Sequence, residues 1–251
     1  MSTAELKAKA KENLKEKWGK AALIVLCYSL IICGINFTLA FLKNIGNYIS
    51  IIIKIPLTYG FLVSFMKLKN GEDVKYTDFL TNGFENFGMT WRVYGNIILK
   101  LIVPTILIVV SIIIMGIGFF AAASVSIFLD PNSVNQSLNS EILIMVGGIL
   151  LVVSLIWEGI KSLNYSLVWY ILKDNPEMSA KDIVKKSEML MKNNKWNIFY
   201  LQLTFIGWAI LNVFTFGIGT LWLAPYIIIT SICFYEKLLE NNNDATENEI
   251  F

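Results

Sequence analysis

A chain of 251 residues with 55% hydrophobic and only 16% charged residues falls well short of the ~25% charged residues usual in a soluble domain. The net charge of +2 says little by itself. The absence of histidine excludes Ser-His-Asp chemistry and removes the commonest proton shuttle and metal ligand.

In chain order, residues 1–19 read as an interfacial helix. Thr3–Lys17 places Ala4, Leu6, Ala8, Ala10 and Leu14 among lysines. That apolar face is thin, and the lysines favour rest on an anionic leaflet. The first hairpin, 20–66, comprises the apolar runs Lys20–Leu42 and Asn47–Met66. A cleavable leader has an apolar region of 7–15 residues, so the longer first run is expected to stay as an uncleaved span. Residues 67–92 form a cytoplasmic connector. The second hairpin, 93–172, comprises Val93–Val125 and Ile142–Leu172. Run four exceeds what a ~30 Å core needs, so it is expected to tilt, kink or project, with Gly147-Gly148 or Gly159 as break points. Residues 173–195 hold an amphipathic helix over Ser179–Asn193. Ser179 caps it, and Ile183, Val184, Met189 and Leu190 share a face. The third hairpin, 196–239, comprises Trp196–Phe216 and Thr220–Tyr235, and 240–251 is expected to be a disordered, solvated tail.

Helices are the only fit for such runs, since unpaired backbone is not tolerated in hydrocarbon. The expected fold is therefore all-α, with six transmembrane helices as three in-out-in hairpins joined by cytoplasmic amphipathic helices. Basic residues give the orientation. Seventeen of 21 fall on one side of the six-span arrangement: before run one, between runs two and three, between runs four and five, and after run six. The other side carries only Lys43. Both termini are expected to be cytoplasmic, in the plasma membrane.

The hairpins resemble one another. Each follows a segment ending in an interfacial anchor beside a basic residue: Trp18, Trp91 and Trp196. Tyr59 to Lys67 and Tyr165 to Lys173 match as return helices. Cys27, Cys33 and Cys233 all lie in apolar runs and read as small buried hydrophobes.

Ionisable groups inside runs are functional candidates by default. Lys100 is near enough to Arg92 to snorkel. Lys54 and Lys161 lie deeper, at nearly equivalent places in two hairpins. Glu158 and Lys161 are spaced i, i+3, which predicts a structural ion pair. The sharper alternative is a midplane polar site of Lys54, Glu158, Lys161 and Asn164, lined by Tyr59 and Tyr165 and receiving an anionic group. No phosphate-binding loop, metal-spaced cluster or catalytic constellation is legible, so neither enzyme activity, metal, cofactor nor nucleic-acid binding is expected.

Phe205-Ile206-Gly207-Trp208, Gly217 to Tyr226 and Phe234-Tyr235 carry a recognisable pattern. So do Leu14 to Ala21, Gly159-Ile160-Lys161, Tyr165-Ser166 and Asp174 to Glu177. Together they resemble, over almost the whole chain, a family of bacterial integral membrane proteins catalogued as a domain of unknown function, number 975 in that series. The family pattern has a proline before the Gly-Ile-x-Lys stretch, where this chain has Glu158. The resemblance implies a multi-pass plasma-membrane protein and contributes no catalytic residues. The functional expectation is a non-enzymatic scaffold, accessory or regulatory factor for a membrane process. Its partners are the bilayer, anionic lipids at the cytoplasmic face, and another membrane protein or a second copy. The alternative is a small transporter or exporter component using the Lys54, Glu158 and Lys161 region.

Overall fold

The computed structural model describes the backbone of residues 2–128 and 134–248, and the side chains of these apart from 43, 44, 125–128, 134–138 and 243–248. Residues 129–133 of the expected external loop and 249–251 of the expected tail lie outside the described residues. The described chain is all-α, with no strand. Its helices are α1 (Thr3–Leu14), α2 (Trp18–Ala40), α3 (Lys43–Lys69), α4 (Asp78–Glu85), α5 (Phe87–Phe128), α6 (Val134–Ser162), α7 (Val168–Asp174), α8 (Ala180–Met191), α9 (Lys195–Leu203), α10 (Ile206–Phe214) and α11 (Thr220–Asn248). Six stretches among the described residues are long and apolar enough to cross a membrane: Trp18–Ala40, Ile45–Lys69, Phe87–Ser124, Asn139–Asp174, Lys195–Phe214 and Thr220–Asn242.

Three local expectations are corrected. The fourth stretch does not break at its glycines but at a 3-10 turn, Leu163–Tyr165, between α6 and α7. Gly147 is instead a packing position. The fifth stretch is interrupted at Thr204–Phe205, where Thr204 Oγ1 turns back onto Leu201 O at 2.6 Å and Phe205 N bonds Gln202 O in a 3-10 step. On α8 the buried residues are Ala180, Ile183, Val184, Ser187, Leu190 and Met191, while Met189 is exposed, because the 183–187–191 row faces the protein. Along the C-terminal segment, α11 runs through Asn248.

The chain divides into two compact units, 1–96 with 165–251, and 97–164. In the first, α3 and α11 are central. Half of each apolar stretch is enclosed (56% and 44%), against 11–17% for the other four. Pro56 and Gly60 on α3 let α4 lie against the backbone: a Cβ on Gly83 would meet Pro56 O at 2.5 Å, and one on Gly60 would strike Phe79 O. Tyr28 of α2 stacks on Phe61 at 4.1 Å and meets Phe79 edge-on at 5.5 Å. Leu6, Ala10 and Leu14, one row of α1, are buried where α1 packs on α11. Tyr170 of α7 stacks on Tyr235 at 5.6 Å. This is a core of large side chains, girdled by polar helices.

The second unit is built differently. Its buried residues, among those described, are Pro104, Ser111 and Gly118 on α5 and Ser140, Gly147 and Ser154 on α6, each set spaced by seven. A Cβ on Gly118 would meet Ile144 Cγ1 at 2.8 Å and Ser140 O at 3.0 Å; one on Gly147 would meet Met115 N at 2.8 Å and Ser111 O at 3.1 Å. The two helices therefore run antiparallel, with backbones nearly touching along a small-residue seam. Around it Val109, Ile112, Ile113, Val152, Val153 and Ile156 face outward and exposed.

Candidate functional site

The sequence-derived candidates separate between the two units, and each group is described in its own. In the first, Lys54 is half-buried on α3 and its carbonyl accepts from Thr58 Oγ1 at 2.8 Å. Tyr59 is buried, with its ring 6.0 Å from Trp169. Tyr165 is buried at the 3-10 turn and donates its hydroxyl to Glu188 Oε1 on α8 at 3.0 Å. That bond ties the end of the fourth stretch to the following amphipathic segment.

In the second unit, Glu158, Lys161 and Asn164 are half-buried near the end of α6. The ion pair expected between Glu158 and Lys161 is not formed. Lys161 Nζ lies over the Trp157 ring, 5.2 Å from its centroid, and Glu158 Oε1 sits 3.4 Å from Thr105 Oγ1 of α5. Spacing alone brings two side chains to one side of a helix; a ring face and a hydroxyl on the adjacent helix compete with the pairing.

The expected anchors also differ among themselves. Trp18 packs 6.5 Å from Tyr226, and Trp91 donates Nε1–H to Ile52 O at 3.3 Å. Trp196 stays largely exposed, meeting Phe199 edge-on at 5.6 Å.

Lysines legible only as a charge pattern turn out to hold helix ends. Lys17 Nζ donates to Leu68 O at 2.9 Å and Lys69 O at 3.4 Å, closing the C-terminal carbonyls of α3. Lys69 pairs with Glu236 at 2.5 Å, the lysine side chain only 11% exposed. Lys67 donates to Asn82 Oδ1 at 2.9 Å, and Lys20 pairs with Asp73 at 2.7 Å. The hydrogen bond and charge of Lys20 hold the Asp73 carboxyl below its ordinary range.

Most informative is Lys7. Its Nζ donates to Thr204 O at 3.1 Å, the carbonyl freed by the interruption of the fifth stretch, and lies 4.2 Å over the Phe205 ring. Burial, then the neighbouring Lys11, lowers its pKa. No periodicity in the sequence pointed to this, since the contact joins residues 197 apart.

Two cavities flank α1. The larger, about 360 Å³, is lined by Lys11, Trp18, Trp208, Asn212, Trp222 and Tyr226 among others. The smaller, about 250 Å³, lies by Leu6, Asn197, Tyr200 and Phe234. The larger has the size of a small-molecule pocket, with aromatic walls and a cation at its rim, a lining suited to an amphiphile.

A family model described as a protein of unknown function (DUF975) matches residues 1–242. No curated protein matches, and no solved structure matches.

Proposed function

This chain belongs to the DUF975 family of proteins of unknown function, and from that premise we propose that it is a multi-pass plasma-membrane protein acting without enzymatic chemistry, as a scaffold or accessory factor for another membrane complex. Its helical pairs start and finish at the cytoplasmic face, where both termini lie, and α1 and α8 form its polar working surface there. The observation that carries this reading is the two-sidedness of α8. Ile183, Val184, Ser187 and Met191 hold it to the core, while Lys181, Lys185 and Met189 are left outward. Such a face suits anionic headgroups and the acidic surface of a partner membrane protein or second copy.

Photo-crosslinkers at Lys181, Lys185 and Met189 test it in native membranes. The expected result is one or a few discrete adducts from these three positions and none from buried Val184. Adducts with lipid alone would remove the scaffold role.

A specific observation also supports the transporter alternative: Glu158 and Thr105 set a contact to a carboxylate into the α5–α6 helix pair. Aqueous thiol reagents distinguish the two. Lys54→Cys and Lys161→Cys, with the native cysteines replaced, should stay unreactive in a scaffold; labelling at both would mean a hydrated path.

A further inference from the structure

The last two apolar stretches form an antiparallel pair whose contacts limit how far it can reach. Asn212 Nδ2 donates to Thr220 Oγ1 at 2.7 Å near its tip, and Phe205 meets Tyr226 edge-on at 5.2 Å further back. The Phe205–Tyr226 rung is where a charged helix lies. Lys7 is bonded to Thr204 O and sits over Phe205, and Lys11 Nζ is 5.7 Å from the Tyr226 ring centroid. On the other side of α1, Glu5, Lys9 and Glu12 are exposed. Exposed carboxylates and ammonium groups on one helix do not sit in hydrocarbon, so this rung lies at the polar edge of the bilayer. Trp18, packed on Tyr226, puts the rung level with the start of the first apolar stretch.

From Phe205 to Phe216 there are eleven residues, and from Tyr226 back to Gly217 nine. At 1.5 Å each this is about 14–16 Å, half of a ~30 Å core. The tip is made for the depth it reaches. Phe216 is 97% exposed, with Val213, Phe214 and Ile218 exposed beside it. No ionisable Asp, Glu, Lys or Arg occurs between Lys195 and Glu236. The start of α3, at the corresponding end of the first apolar pair, by contrast holds Lys43, Asn44 and Asn47.

The tip also satisfies its own polar groups. Gly217 N donates to Asn212 O at 3.0 Å, Gly219 N to Thr215 Oγ1 at 3.1 Å, and Thr215 Oγ1 to Asn212 O at 2.9 Å. Gly217 takes φ +84°, and a Cβ on Gly219 would meet Asn212 Oδ1 at 2.7 Å. Internal satisfaction of a non-helical turn is what hydrocarbon demands and water does not.

We propose that α9, α10 and the first half of α11 do not cross the membrane but form a re-entrant wedge in the cytoplasmic leaflet, with Val213–Ile218 embedded among acyl chains near the bilayer middle. Composition alone expects a crossing here; the position of α1 on the pair forbids it. The proposal rests on the membrane orientation given above and on neither the scaffold nor the transporter role.

The test uses full-length protein with Cys27, Cys33 and Cys233 replaced by alanine, carrying Phe216→Cys, Ile218→Cys or, as a reporter of the outer side, Asn139→Cys. A membrane-impermeant maleimide is applied to intact cells and to inside-out vesicles. The expected result is labelling of Asn139→Cys in cells only, and loss of labelling at 216 and 218 in both preparations until detergent is added. A bimane placed at 216 in liposomes should be quenched more by nitroxides deep in the acyl chain than by headgroup nitroxides. Labelling of 216 in intact cells would overturn the proposal in favour of a crossing pair. Labelling of 216 in inside-out vesicles would overturn it by placing the tip in cytoplasmic water. An Asn139→Cys that reacts only in inside-out vesicles would overturn the orientation itself, a failure distinct from either.

Discussion

The two units solve the packing problem in opposite ways. Around α3 and α11 the enclosed residues include many large ones: Phe65, Phe79, Phe234, Tyr235, Ile171 and Leu172 are among the fully buried side chains. Between α5 and α6 the enclosed residues are glycine, serine and proline, and the large ones face outward. The first is packing by interdigitated large side chains. The second is how helices pack where the surroundings are as apolar as their side chains, and only close backbone approach and van der Waals contact remain. Packing style therefore distinguishes two parts of this chain that hydropathy ranks alike as candidate spans.

The sharpest way to break the comparison is in the large-residue core. Phe65→Ala removes a ring that is fully enclosed, and should lower stability by about 3–5 kcal/mol, read as thermal unfolding of the detergent-solubilised protein. A comparable Phe→Ala change at exposed Phe120 should leave unfolding unchanged. Next, Gly147→Leu forces a side chain against Met115 and Ser111 backbone and should destabilise by about 1–3 kcal/mol. Gly148→Leu, with nothing within 4 Å, should be silent. If both glycines behave alike, the seam is wrong.

Smaller effects probe the polar girdle. Glu236→Ala leaves the Lys69 ammonium enclosed without its carboxylate, for roughly 1–3 kcal/mol. Lys69→Met with Glu236→Leu should recover most of that loss. Smallest is Asp73. Its carboxyl is held below its ordinary range by Lys20, so the pair's contribution is complete above the carboxyl's ordinary pKa and fades as pH falls through the lowered value. Asp73→Asn should flatten that part of the acid profile, and an unchanged profile would show that the exposed pair adds nothing.

Much of this was legible in the sequence. Apolar runs gave the helices, and Ser179 gave the start of α8, where its Oγ accepts from Asp182 N at 3.2 Å. What escaped was decided by contacts distant along the chain. The interruption at Thr204 and its capping by Lys7 need α1 to be folded onto the last pair. The burial of Met191 over Met189 depends on which face meets the core. The candidate site was the least legible part. Spacing put Glu158 and Lys161 on one side of a helix, but their partners, Thr105 and Trp157, were not implied by the pairing of opposite charges. The seven-residue series Ser111–Gly118 and Ser140–Gly147–Ser154 was present in plain view, masked by the hydropathy of everything between.

That series carries a consequence for registry. When small residues recur every seven positions on both helices, sliding one helix past the other by ~10.5 Å brings small residue opposite small residue again. Sterically, the seam is close to translationally degenerate. Thr105 and Glu158 are not repeated along it, and their contact distinguishes one alignment from its neighbours, as a lone polar residue does in a coiled coil. The Glu158 carboxylate is then an alignment pin for two otherwise slippery rods.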